Sequence, residues 1–236
     1  MPINKAMEKH INNQVTFWSQ QKNVIENIEA RPKKPFITIS REYGVGAFEV
    51  AGKIVDALNN LKKSEPEWAA YDKKLLDKIV QDLGLSKSLA NTLTSSARGQ
   101  LTELFQTSFS KFPTQVAIYR KLAETVRTMA YNGNVVIVGR AGNLITKDMS
   151  NGFHVRLIAP AKWKINRLTQ LYGTPFKEAE QAIVIKDKER DSYIKEFLKF
   201  DNADPLNYHL ILNMGYISSD EAAGIIKEAL ISLKMM

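Results

Sequence analysis

The sequence predicts an α/β protein built on a mostly parallel sheet of five strands. Three observations carry that expectation. Five short apolar, β-branched runs alternate along the chain with segments of helical spacing. One of the runs, Val135-Val136-Ile137-Val138, is apolar without a break, as a strand buried on both faces requires. Another, Phe36-Ile37-Thr38-Ile39, opens into a loop with two glycines, Gly44 and Gly46, and the chain then resumes with Val50, Ile54, Leu58 and Leu61 on one helical face. Strand, glycine loop, helix is a layout that gathers backbone N–H groups and a helix N-terminus around an anion.

The bulk numbers narrow the function classes. At 236 residues the chain can bury a sizeable core, and one domain with insertions is the default reading. No apolar run approaches the roughly 18–20 residues needed to span a bilayer. The segment Met1 to Lys22 is polar and mixed, without the apolar core of a secretory signal. With no cysteine there is no disulfide and no thiolate metal site, which fits a cytoplasmic protein. The net charge of +8 suits a polyanionic small substrate or plain solubility. Basic and acidic residues are interleaved, which argues against a contiguous nucleic-acid face.

Residues 8–29 set Ile11, Val15, Trp18, Ile25 and Ile28 among polar residues, an amphipathic helix. Its apolar stripe would pack on the domain or on a second copy of the chain in a homodimer, with Trp18 as anchor. Arg31-Pro32-Lys33-Lys34-Pro35 ends that helix and leads into the first strand. After the glycine loop and its helix, Trp68-Ala69-Ala70-Tyr71 reads as a short buried strand. Asp72 then occupies an N-cap position before the stripe Leu75, Leu76, Ile79 and Val80. It is either a cap alone or also a substrate ligand.

From Ser86 to Met129 the pattern is helical. Leu89, Leu93, Leu101, Leu104, Phe105 and Phe109 come first, and a further helix starting at Pro113 turns Val116, Tyr119, Leu122, Ala123, Val126 and Ala130 inward. Asn132-Gly133 ends it. Val135–Val138 runs into Gly139-Arg140-Ala141-Gly142. Arg140 therefore emerges at the C-terminal end of a central strand, where open α/β sheets bind ligands. A phosphate ligand is the functional reading of Arg140, and a solvated charge is the alternative. Phe153 to Ala159 alternates slightly, which predicts a strand nearer an edge. Two charged helices follow, Ala161 to Tyr172 and Pro175 to Phe200, and on composition the second is a solvated face laced with ion pairs. Tyr208 to Leu212 is the last strand. Ser218 to Glu221 forms a capping box, and the closing helix is expected to bury Ala222, Ile225, Ile226, Ala229 and Leu233. The three histidines stand at no ligand spacing, so no histidine metal site is inferred.

Five stretches in order, Ile39-Ser40-Arg41-Glu42-Tyr43-Gly44-Val45-Gly46, Tyr71-Asp72-Lys73-Lys74-Leu75-Leu76, Val136-Ile137-Val138-Gly139-Arg140-Ala141-Gly142, Arg190-Asp191-Ser192-Tyr193-Ile194-Lys195 and Asp204-Pro205-Leu206-Asn207-Tyr208, resemble the cytidylate kinase-like family, a branch of the P-loop nucleoside monophosphate kinases. The resemblance covers roughly residues 35–233. It implies a three-layer P-loop NTPase-like domain over 35–236, with a helical insertion at about 73–131, a lid-like segment at about 173–203, and an N-terminal helical extension, 1–34, outside the match. It implies transfer of the ATP γ-phosphoryl, with Mg²⁺, to a nucleoside monophosphate such as CMP. By position, Arg41, Gly44, Val45, Gly46, Ala47 and Phe48 would meet the ATP phosphates. Tyr71, Asp72 and Arg140 would hold the acceptor, and Arg140, Arg190 and Lys195 would act on the transferring phosphoryl.

The departures are equally specific. Against G-x-x-x-x-G-K-[ST] the chain puts Arg41 at the first glycine, Ala47 at the lysine and Phe48 at the hydroxyl residue. The Gly-Arg that this branch tends to carry at Ala47-Phe48 is missing too, and the acid that follows the arginine in cytidylate kinases is Ala141 here. A cation about 4 Å from a phosphate oxygen is worth on the order of 4 kcal/mol at an effective dielectric near 20, roughly three decades of rate. Arg41, Lys53 or Arg140 could compensate, and Glu42 or Glu49 could hold metal. Two expectations follow: a phosphotransferase, or a P-loop-fold protein that binds a nucleotide or other anion without turnover, as a regulatory or interaction module.

Overall fold

A central strand, β1 (Phe36–Arg41), organises the computed structural model, which describes residues 11–19, 34–61, 66–93, 99, 102–103, 116–198 and 200–236. On one side it pairs with β3 (Val135–Val138), which carries β2 (Ala69–Tyr71) at the edge. On the other it pairs with β4 (Gly152–Ile158), followed by β5 (Leu210–Asn213). The order is therefore β2-β3-β1-β4-β5, and every pairing is parallel.

Parallel strands joined by helices need both faces covered, and the alternation of side chains divides the core accordingly. Ile37, Ile39, Val136, Val138, Phe153, Val155 and Leu157 pack with α2 (Ala47–Leu61) and the C-terminal α9 (Ser219–Ser232). Phe36, Val135, Ile137, Ala69 and Tyr71 point the other way, onto α3 (Lys73–Gln81), α5 (Val116–Asn132) and α1, the helical residues 11–19. In α1, Ile11, Val15 and Trp18 are buried in that second layer. The short α4 (Leu83–Ala90) adds Leu89. Expectations at Ile25, Ile28, Leu101, Leu104, Phe105, Phe109 and Pro113 lie outside the described residues.

Local chemistry sets the ends of the elements. Asp72 caps α3, its carboxylate accepting from Leu75 N–H at 2.9 Å. Ser218 and Glu221 form the reciprocal capping box of α9. After α5, Gly133 takes φ of 73° and lies so close to the Lys34 backbone that a Cβ would collide with it.

Three expectations need refinement. β4, expected nearer an edge, lies one strand in from it, between β1 and β5, and its polar residues His154 and Arg156 are nonetheless buried. They meet the polar residues of β1 on the same face, so the alternation records a buried polar stripe. Leu61 is exposed because α2 ends as it leaves the sheet. In α9 the buried face is Ala222, Ala223, Ile226 and Leu230, while Ile225 and Leu233 are exposed, a rotation of the stripe by about one residue.

Two of the histidines also converge. The His154 and His209 rings lie 5.1 Å apart, the His154 backbone N–H donates to His209 Nδ1 at 2.9 Å, and His154 Nδ1 sits 2.8 Å from Thr38 Oγ1. Burial, with a smaller push from His209, lowers the His154 pKa to about 4. The native state thus holds a neutral ring while the unfolded chain binds a proton from about pH 6.5 downward. The stability is complete above pH 6.5 and is lost as pH falls toward 4. In urea unfolding followed at pH 7, 6, 5 and 4, the parent should weaken over that window. His154→Gln should flatten this part of the pH dependence, and an unchanged slope would exclude His154 as its source.

Candidate functional site: an arginine-lined cavity beside the glycine loop

A cavity of about 590 Å³ opens at the C-terminal ends of β1 and β3. Its cationic lining comes from four separate elements. Arg41 is the last residue of β1, Arg140 follows β3, Lys73 and Lys74 begin α3, and Lys186 and Arg190 descend from α8 (Phe176–Leu198). Glu189 is the one carboxylate among the described lining residues, and it is paired with Lys186 at 2.9 Å.

The turn that presents Arg140 is strained. Gly139, Arg140 and Ala141 all have positive φ, at 83°, 55° and 53°. Only the first is a glycine, and a non-glycine residue held in this region costs of order 1 kcal/mol or more. The turn swings the chain from β3 into the short α6 (Gly142–Ile145) and leaves Arg140 at the mouth of the sheet. Arg140 is ion-paired with Asp77 of α3. Its Nε is buried without a partner.

Arg41 lies against the Gly139 backbone, where a Cβ would overlap its guanidinium. Burial, then Arg190, then Arg140 lower its pKa to about 10, against weaker support from Asp72 and Asp187. Arg190 is shifted down by burial as well, and its guanidinium stacks 5.4 Å from the Tyr43 ring centroid. The resemblance puts Arg41 among the residues that would meet the ATP phosphates, and in the structure its guanidinium lines the cavity with Arg140 and Arg190.

The other sequence candidates are distributed as follows. Gly44, Val45 and Gly46 form the turn before α2, with φ of 87° at Gly44 and 78° at Gly46, and Ala47 opens the helix. Ala47 is buried in the core and Phe48 is exposed. Asp72 spends one carboxylate oxygen on its cap. Tyr71 is fully buried and hydrogen-bonded to Gln14 of α1, away from the cavity lining. Burial pushes its phenol pKa upward. Lys195 is exposed and does not line the cavity. Lys53 turns to the surface and pairs with Asp220 at 2.9 Å.

A family model for the cytidylate kinase-like family matches residues 36–216, from β1 to just before α9. The chain belongs to the cytidylate kinase-like family. Family membership and the sheet order together give it a nucleotide or small-molecule kinase fold. Among solved structures, an uncharacterized protein from Eubacterium ventriosum ATCC 27560 is similar in fold over 85% of this chain and 99% of its own, at 24% identity and a TM-score of 0.67. A shikimate kinase from Bacteroides thetaiotaomicron is more distant, with 14% identity, 84% and 98% coverage and a TM-score of 0.46. The Mycobacterium tuberculosis APS kinase CysC stands at 14%, 85%, 99% and 0.45. No curated protein matches the sequence.

Against the family's loop pattern, the structure brings in side chains that no sequence motif marked. Arg167 of α7 (Ala161–Tyr172) reaches over the glycine loop. A Cβ on Gly46 would fall 2.6 Å from its Nη2, its Nη1 lies 3.4 Å from the Gly44 carbonyl, and it pairs with Glu49 at 2.6 Å. Lys164, buried one turn earlier, pairs with Glu42 at 2.8 Å and Asp187 at 3.4 Å. Asp187 also accepts from Tyr43 N–H at 2.6 Å, which ties α8 to the loop. The α8 face read as solvated therefore carries Asp187 and Arg190 inward. Arg167 and Lys164 could not be singled out because they sit in an ordinary charged helix.

A divalent cation finds little to hold it here. Phe48 offers no hydroxyl, Glu42 is held by Lys164 and by the Ala159 N–H, and Glu49 by Arg167. Among the described residues no three His, Asp or Glu groups come together as a metal site. The donor set beside the loop does not fit Mg²⁺ held by protein side chains.

Proposed function

We propose that the chain is a nucleotide kinase-like phosphotransferase, moving the γ-phosphoryl of ATP to a nucleoside monophosphate such as CMP or a related small phosphorylated acceptor. The observation that supports this reading most is the convergence of Arg41, Arg140 and Arg190 on one cavity beside the glycine loop. Phosphoryl transfer needs little covalent help from the protein; positioning and fixed positive charge do most of it. In this reading the acceptor phosphate lies against Arg140 and Arg41. Arg190, brought in by α8, faces the charge that develops between donor and acceptor. The N–H groups of the Gly44–Gly46 turn and the first turn of α2 orient the donor phosphates, with Arg167 standing over them in place of the missing lysine. The substrate is a small-molecule nucleotide, and the setting is cytoplasmic.

A second reading, an anion-binding protein without turnover, has its own support. Ala47 and Phe48 remove the usual cation and hydroxyl, and the nearby carboxylates are engaged with basic side chains. Calorimetric titration with ATP and CMP, with and without Mg²⁺, followed by ADP release across the monophosphates, separates the two. Binding and turnover are expected. No binding of either nucleotide would remove the kinase reading, and binding without turnover would favour the second.

A further inference from the structure

The cavity holds more positive charge than one phosphate monoester calls for. Arg140 has Asp77, Lys186 has Glu189, and Arg190 lies 3.5 Å from Asp187. Arg41 has no carboxylate within ion-pair distance among the described residues, and neither do Lys73 and Lys74. Behind them stands a further guanidinium. Arg156 of β4 is buried, has no described carboxylate partner, and donates to Ser40 Oγ at 3.2 Å. Ser40 in turn lines the cavity and donates to Asn202 at 3.1 Å.

Taking like charges out of water and setting them together is costly unless an anion joins them. The protein nevertheless builds this arrangement with care. Gly139 is the residue whose missing side chain leaves room for the Arg41 guanidinium. The strained turn after it aims Arg140 at the same space. Two oxygen-rich groups side by side, each a tetrahedral anion, would use the fork geometry of several guanidiniums at once. With Glu42 and Glu49 already ion-paired, these basic side chains are the charge at hand to neutralise such a ligand.

We propose that this cavity binds a ligand with two adjacent phosphate groups without a divalent cation, and that Arg41 is the residue that distinguishes it from a single phosphate. The proposal deepens the kinase reading and rests on it for its biological meaning, since an acceptor phosphate and the phosphoryl arriving on it form such a pair.

The test needs no turnover. Inorganic pyrophosphate and inorganic phosphate are titrated calorimetrically into the full chain in EDTA, with Arg41→Gln and Arg41→Lys beside the parent. Thermal melts of the unliganded variants verify that each is folded. Pyrophosphate should bind the parent at least about tenfold more tightly than phosphate. Arg41→Gln should weaken pyrophosphate by about tenfold to a hundredfold and phosphate by clearly less, with Arg41→Lys in between. Equal affinity for the two anions, pyrophosphate binding that requires Mg²⁺, or a Gln variant indistinguishable from the parent would each overturn the proposal. Metal-free pyrophosphate binding in a protein that releases no ADP would sink the kinase reading and leave this one standing. Turnover without pyrophosphate selectivity would do the reverse.

Discussion

Arg140→Ala should lower phosphoryl transfer by about three decades, on the scale of a cation lost about 4 Å from a phosphate oxygen. The expectation rests on position and pairing. Arg140 stands where β3 ends, lines the cavity, and is held there by its ion pair with Asp77. The substitution removes no core packing, so the melting temperature should change little while ADP release with CMP collapses. Folded protein with undiminished release would place the acceptor phosphate elsewhere. A loss shared equally between binding and rate would show a contact made already in the ground state; a loss confined to the rate would show one made as charge develops.

The largest stability effect is expected at Lys164. Its side chain is 7% exposed and answers both Glu42 and Asp187. Lys164→Ala would leave half-buried Glu42 without its cation and Asp187 with Arg190 alone at 3.5 Å, a change that costs roughly 3 kcal/mol. For a chain of this size that is a fall of about 6–12 °C in melting temperature. The same substitution removes one of the ties between α8 and the loop, leaving the Asp187–Tyr43 hydrogen bond. Hydrogen exchange in α8 should therefore rise more than in β1 or β3. A melting temperature within 2 °C of the parent would show that solvent and the existing Arg190 contact suffice for the two acids.

The sheet was legible because its signals are local. An unbroken Val/Ile run can only be a strand buried on both faces, and Asp72 and Ser218 announce the helices they cap. Their effect does not depend on what lies across the fold. The N-terminal helix showed its stripe through Ile11, Val15 and Trp18 for the same reason. What stayed hidden was every feature that needs two distant segments. The alternation at His154 and Arg156 said only that the strand is nearer an edge, because nothing in β4 itself says that Thr38 and Ser40 wait on the neighbouring strand. Arg41 was read by its place in a motif, and the sequence did not show that its guanidinium would lie against the Gly139 backbone. Arg167 and Lys164 lie more than 115 residues from the loop they serve, and a charged helix gives no hint of which of its basic groups will face inward.

The two arginines that already carry carboxylates set how a ligand enters. Asp77 sits on Arg140 and Asp187 near Arg190, so the incoming phosphate does not fill a bare positive hole. In the proposed reading, a phosphate arriving there would compete with Asp77 of α3 and Asp187 of α8 for the same guanidiniums. Binding would then be an exchange reaction, each new contact offset in part by one given up, and a highly charged guest would compete best. Asp77→Asn, which frees Arg140 without touching it, should make the cavity less discriminating.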